Sequence, residues 1–196
     1  MNAHEPPLFV LASSSPRRLS LLRQIGIEPD QVITPDIDET IRPRELPRDY
    51  VQRMATSKLQ AVAADHASSF VLAADTVVAC GRRILPKTET RGSAEKCLKL
   101  LSGRRHRVFG GVAIAAPNDR TSFKIAMTMV RFKRLSNDDL ASYLNGDEWF
   151  GKAGGYAIQG RAEAFVTQLN GSYSNVVGLP LATISSMLQG LGWVVR

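Results

Sequence analysis

Five apolar residues, Leu8 to Ala12, stop abruptly at Ser13-Ser14-Ser15-Pro16, and the next apolar positions, Leu19, Leu22 and Ile25, recur at helical spacing until Gly26. A short apolar run that ends in a turn reads as a buried strand, and a recurrence of three to four residues reads as one face of a helix. The alternation then repeats. Val32 and Ile33 suggest a second strand, Pro47 opens a helix reaching about His66, and Phe70 to Ala74 is another apolar run, ending in Asp75-Thr76. A hairpin is expected around Gly81, between Val77–Cys80 and Arg82–Leu85. Ser93 to Leu101 reads as a helix, Arg107 to Ala115 and Phe123 to Lys133 as long strands, and Ser136 to Leu144 as a helix with a capping box of Ser136 and Asp139. A glycine-rich segment, Gly151 to Gly160, precedes a strand, Phe165 to Leu169, a polar turn, Gly171 to Asn175, and a last helix, Pro180 to Leu191. Strands interleaved with helices, two of them long and adjacent, point to an α/β or α+β fold with a mixed sheet. The chain has 196 residues with no repeat and no Gly/Ser/Pro linker, so one domain over residues 1–196 is expected.

Composition removes several classes. Hydrophobic residues are 44% and charged residues 22%, which excludes a disordered tail, a collagen-like fibre and a disulfide-stapled miniprotein. No apolar run approaches the ~20 residues of a membrane helix, and Met1 to Pro7 carries no signal-peptide stretch. Cys80 and Cys97 form no CxxC pair, as suits a reduced, cytoplasmic protein without structural zinc. His4, His66 and His106 are too scattered for a metal cluster, and no Ser-His-Asp arrangement is visible. The net charge of +7 suits an anionic partner such as nucleic acid, a phosphorylated metabolite or a membrane surface. It equally suits an ordinary basic protein, so the position of the charges decides. The run Arg104-Arg105-His106-Arg107 reads as a solvated strand start.

Several positions carry chemistry. Ser15 stands where an N-cap belongs and Pro16 suits the first helical position, which puts Arg17 and Arg18 in the first turn, the unfavourable end of the helix dipole for cations. Free backbone N–H groups, the serines and two guanidiniums together describe an anion site; the plainer reading is two solvated arginines. Lys58 falls within the apolar stripe Val51, Met54, Ala55, Leu59, Val62, so it either snorkels past the helix edge or reaches a charged site. Asp75 closes an apolar strand, where ligand sites of α/β sheets collect, and is suited to act as general base or metal ligand; alternatively it caps a turn. Glu39 lies in the long loop Thr34 to Leu46. Together, Glu39 and Asp75 could hold Mg²⁺ or Mn²⁺ through oxygen ligands. Lys152 sits among four glycines, but the segment is not a Walker A loop.

These blocks resemble the Maf family of nucleoside triphosphate pyrophosphatases. The resemblance is carried by Leu11-Ala12-Ser13-Ser14-Ser15-Pro16-Arg17-Arg18, Asp38-Glu39-Thr40, Ala55 with Lys58, Ala74-Asp75-Thr76-Val77-Val78 and Ile84-Leu85-Pro86-Lys87. Leu101-Ser102-Gly103-Arg104, Lys152 through Gly160 and Gly171 through Pro180 continue it, in the family's order, over residues 8 to 190. It implies an α/β fold with an elongated mixed β-sheet flanked by helices, two lobes around a central cleft, similar to inosine triphosphatases. It also implies hydrolysis of a nucleoside triphosphate to monophosphate and pyrophosphate with a divalent metal cation, in a cytoplasmic homodimer without a stable nucleic-acid partner. By motif position, Asp75, Glu39, Lys58 and Lys87 are the catalytic set, with Glu39 and Asp75 on the metal. Ser13, Ser15, Arg17, Arg18, Thr76, Lys152 and Gln159 are the substrate-binding set. Thr76, Gln159 and Arg17 together resemble the dTTP/UTP subgroup; a glutamine amide offers one donor and one acceptor to a uracil or thymine edge, though it can also flip to suit cytosine. The chain departs from the family's pattern at three places: Gly110-Gly111 stands in place of a Thr-containing turn, Gly151 where many relatives carry Asp, and Thr88 where Pro is frequent. The alternatives are a different base preference, or a basic nucleic-acid- or nucleotide-binding regulatory protein without turnover; 7% aromatic content argues against the nucleic-acid platform.

Overall fold

The computed structural model describes residues 6–117 and 119–194; His4 lies outside them. Strand β1 (Phe9–Ala12) is followed by α1 (Pro16–Gln24), β2 (Gln31–Ile33), α2 (Pro47–Ala63) and the long strand β3 (Phe70–Cys80). Both β2 and β3 run parallel to β1, as helical crossovers require. Strands β4 (Arg83–Leu85), β6 (Arg105–Ala115), β7 (Thr121–Phe132) and β9 (Val166–Asn170) complete a seven-stranded sheet in the order β2-β1-β3-β6-β7-β9, with β4 on the edge of β3. The parallel pairs lie at one side and the antiparallel pairs at the other, so the sheet is mixed. Helices α3 (Arg91–Leu101), α4 (Asn137–Leu144), α5 (Tyr173–Val177) and α6 (Leu181–Leu191) flank it.

Strand β3 is nearly all apolar because both of its faces are covered. Val71 and Ala73 pack under α2 with Ala55, Leu59 and Val62, and Val77 packs with Tyr50, Val51 and Met54. Phe70, Leu72, Ala74 and Val78 turn the other way, into the larger core. Helix α2 lies directly on β6: a Cβ on Gly111 would come within 2.5 Å of the Val51 carbonyl oxygen, so that approach needs glycine there. Gly110 and Gly111 therefore do not form a turn. They sit inside β6, opposite Thr76 and Asp75.

The structure corrects the local reading at further points. The strand at Phe70 does not end at Asp75; it continues to Cys80, and only its neighbour β1 stops, at the pair Ala12–Ala73. Gly171 to Asn175 is not simply a turn, since Ser172 Oγ accepts from Asn175 N at 3.2 Å and starts α5. A 3₁₀ turn over Arg161–Phe165 delays β9 to Val166. The Arg104–Arg107 run is solvated except at His106, which is buried against Tyr156. A separate two-stranded ladder, β5 (Lys87–Thr88) with β8 (Lys152–Ala153), joins two segments far apart in sequence.

Candidate active site

Where β1 ends, a cavity of about 560 Å³ opens between the start of α1, the loop 34–46, the middle of β3 and the segment 150–159. Ser13, Ser15, Arg17, Arg18, Glu39, Lys58, Asp75, Thr76, Lys87, Lys152 and Gln159 all line it. Sequence spacing could not show that these residues meet; the parallel pairing of β1 with β3 brings the first turn of α1 beside Asp75 and Thr76.

Consecutive strand residues point to opposite faces, and Asp75 and Thr76 follow that rule. Asp75 faces α2. Lys58 does not snorkel: it emerges through the apolar face of that helix, only 7% exposed, with Nζ 2.6 Å from Asp75 Oδ1 and 2.6 Å from Glu39 Oε1. Lys87 Nζ lies 2.6 Å from Glu39 Oε2. Burial pushes the Glu39 carboxyl up, but hydrogen bonds from Lys58 and Lys87 outweigh it and hold the group at about 2. Thr76 faces the other side, where Arg18 Nη2 donates to its Oγ1 at 3.2 Å.

The two arginines of α1, expected to share one spot, divide. Arg18 is turned inward: Nε donates to the Gly178 carbonyl at 3.1 Å and Nη1 to Ser13 Oγ at 3.0 Å, in addition to its bond to Thr76. Burial lowers its pKa, and the charge of Asp75 works against that. Arg17 lines the cavity, and its buried Nε has no hydrogen-bond partner. Burial lowers its pKa as well. Lys152 donates to the Phe150 carbonyl at 3.0 Å, its pKa lowered by burial and then by Arg17. Ser15 occupies the N-cap position without a side-chain cap bond, and its N–H donates to Ser13 Oγ at 3.2 Å. Gln159 is exposed on the cavity lining.

Other residues escaped the sequence reading. Tyr50 Oη donates to the Glu39 carbonyl at 2.9 Å, and Arg53 Nη2 donates to the Thr40 carbonyl at 2.9 Å while its guanidinium grips Glu45 at 2.7 Å through two nitrogens. Three residues apart on α2, they fix the loop on either side of the Glu39–Thr40 link. That spacing was the available signal. Burial, then Asp75, pushes the Tyr50 hydroxyl up, so it remains a donor. The Gly178 carbonyl that receives Arg18 had no signal at all. Tyr156, in the glycine-rich segment, is hydrogen-bonded at 2.8 Å to Nε2 of buried His106.

A mixed, helix-flanked sheet with a cation-lined cleft and a buried lysine between two carboxylates defines an α/β protein equipped for a polyanionic ligand. The family model for Maf-like proteins matches residues 8–191, and the chain belongs to the Maf family. A dTTP/UTP pyrophosphatase of Rhodospirillum rubrum is 56% identical, the match covering 94% of this chain and 88% of that protein. One of Caulobacter vibrioides is 54% identical over 95% of this chain and 97% of the relative. Among solved structures, a HAM1 protein from Coxiella burnetii superposes with a TM-score of 0.54 at 16% identity, over 94% of this chain and all of that one (100%). This likeness concerns the fold.

Proposed function

We propose that the protein hydrolyses dTTP and UTP to the nucleoside monophosphate and pyrophosphate. The observation that carries this reading is the group Glu39, Lys58, Asp75 and Lys87 on the wall of a cavity that also holds Arg17 and Lys152. The names of the relatives at 56% and 54% identity support the reaction and the substrate class.

In this reading Glu39 and Asp75 would hold Mg²⁺ or Mn²⁺. Their carboxylate oxygens are the hard donors such ions prefer. A bound ion supplies charge neutralisation at the phosphate oxygens. Asp75 orients a water and takes its proton as the water adds to the α-phosphorus. The bridging P–O bond breaks and pyrophosphate leaves. Arg17, Lys87 and Lys152 offset the charge that builds on the leaving group, which is where most phosphoryl-transfer catalysis lies. Ser13 and Ser15 add donors at the start of α1. Arg18 acts by holding Ser13, Thr76 and the Gly178 carbonyl in place. Gln159 reads the pyrimidine edge.

The reading also makes the chain a cytoplasmic homodimer acting as one unit over residues 1–196, which the family resemblance implies. Among the described residues, no helix is long and apolar enough to cross a membrane. The test is a nucleotide panel with Mg²⁺ or Mn²⁺, scored for pyrophosphate against orthophosphate. Pyrophosphate from dTTP and UTP is expected. Orthophosphate as the first product, or no turnover by a folded protein, would reject the reading.

A further inference from the structure

Four charges close on one another at the cavity wall. Lys58 bridges Glu39 and Asp75, and Lys87 takes the second oxygen of Glu39, every contact at 2.6 Å. Two carboxylates and two ammoniums sum to zero, and buried Arg18 adds positive field at Asp75. Lys58 cannot retreat at low cost. Its stem runs through the apolar face of α2 among Met54, Ala55, Leu59 and Val62, all buried, and an ammonium withdrawn from both carboxylates there would be buried without a partner. The protein also offers few ligands: among the described residues, no group of three His, Cys, Asp or Glu is placed to hold an ion. A free divalent cation arriving alone would meet two neutralised carboxylates, two competing ammoniums and, among the described residues, no third carboxylate, imidazole or thiol placed to complete its shell.

The triphosphate changes these conditions without moving Lys58. It brings negative charge and phosphate oxygens, the usual remaining ligands of Mg²⁺ and Mn²⁺ in sites with one or two carboxylates. It also gives Lys87 another partner. Lys87 is exposed, so its hold on Glu39 is weak and exchangeable. We propose that Lys58 bars the free cation, so that the ion enters only with the nucleotide, as a metal–nucleotide complex. This proposal rests on the functional reading above and adds an order to it: no metal-loaded, nucleotide-free enzyme lies on the path.

Titration with Mn²⁺, followed by electron paramagnetic resonance of the free ion, tests this without turnover. Wild-type protein alone should leave Mn²⁺ free, whereas protein with the non-hydrolysable α,β-methylene analogue of dTTP should hold one Mn²⁺ per bound analogue, more tightly than the analogue holds it by itself. Lys58→Met should bind Mn²⁺ without nucleotide at least ~10-fold more tightly than wild type. Lys87→Met, altered only at an exposed side chain, should shift the same way by less, and it decides the matter if circular dichroism shows that Lys58→Met has not folded. Stoichiometric Mn²⁺ binding by nucleotide-free wild type overturns the proposal, as does a folded Lys58→Met no tighter than wild type. Either result leaves the hydrolase reading intact; only the nucleotide panel can reject that.

Discussion

Lys58 shows what one residue can carry. A lysine inside an apolar helical stripe was visible in the sequence, but its destination was not, because the stripe says where a stem is buried and nothing about what waits beyond it. Asp75→Asn should keep the fold and lower pyrophosphate release by about 10² or more; a folded variant with full turnover would remove Asp75 from the chemistry. The two arginines of α1 make a sharper pair. Arg18 has three bonded nitrogens, so Arg18→Ala should destabilise by about 2–3 kcal/mol, a drop in Tm of roughly 4–12 °C. Arg17→Ala should leave Tm within a degree or two and instead lower kcat/KM for the triphosphate. Thermal scans and initial rates on the two proteins read both effects, and equal losses of Tm would show that the division between them is wrong.

At the scale of elements, α2 is the common mount of the site. It supplies Lys58 from its middle and pins the Glu39 loop with Tyr50 and Arg53 from its first turns. Tyr50→Phe removes one hydrogen bond, costing about 1 kcal/mol. It should raise KM for the metal–nucleotide complex several-fold with kcat at saturation unchanged; an unaltered KM would mean that the loop holds its place without Tyr50. Strand β6 carries a different signal. Burial keeps the His106 imidazole down at about 4, against an ordinary 6.5. Between those values the unfolded chain binds a proton that the folded chain refuses, so this group's contribution is complete above about 6.5 and falls as pH drops toward 4, by on the order of 3 kcal/mol in all. Urea midpoints at pH 7 and pH 5 should differ for this reason, and His106→Gln should narrow the gap. Elements with strong periodicity were legible: β1, α1, α2 and α4 lie close to where the apolar spacing put them. Strand β3 was read too short because a carboxylate looks like an end, whereas an ion pair with α2 lets it sit mid-strand. The ladder of β5 with β8 was invisible, since two residues cannot show a period.

Across the whole molecule, the net charge of +7 takes on meaning only once the cations are located. Arg17, Lys87 and Lys152 gather on one cavity, so raising ionic strength should raise KM for dTTP while leaving kcat nearly constant. A KM indifferent to salt would mean that these charges do not draw the substrate in. The site residues could be collected from sequence as types and spacings, but not as a constellation, because the pairing of β1 with β3 that unites them is a long-range event.

Asp75 and Thr76 are chain neighbours that serve opposite sides of a single ribbon, the acid toward α2 and the hydroxyl toward Arg18. Sliding β3 by one step against β6 would trade those sides, sending the carboxylate toward Arg18 and leaving the threonine, which carries no charge, opposite Lys58. A chain mis-threaded in this way would keep its secondary-structure content and lose its chemistry, so a refolded preparation is better judged by the fraction of molecules that turn over than by its spectrum.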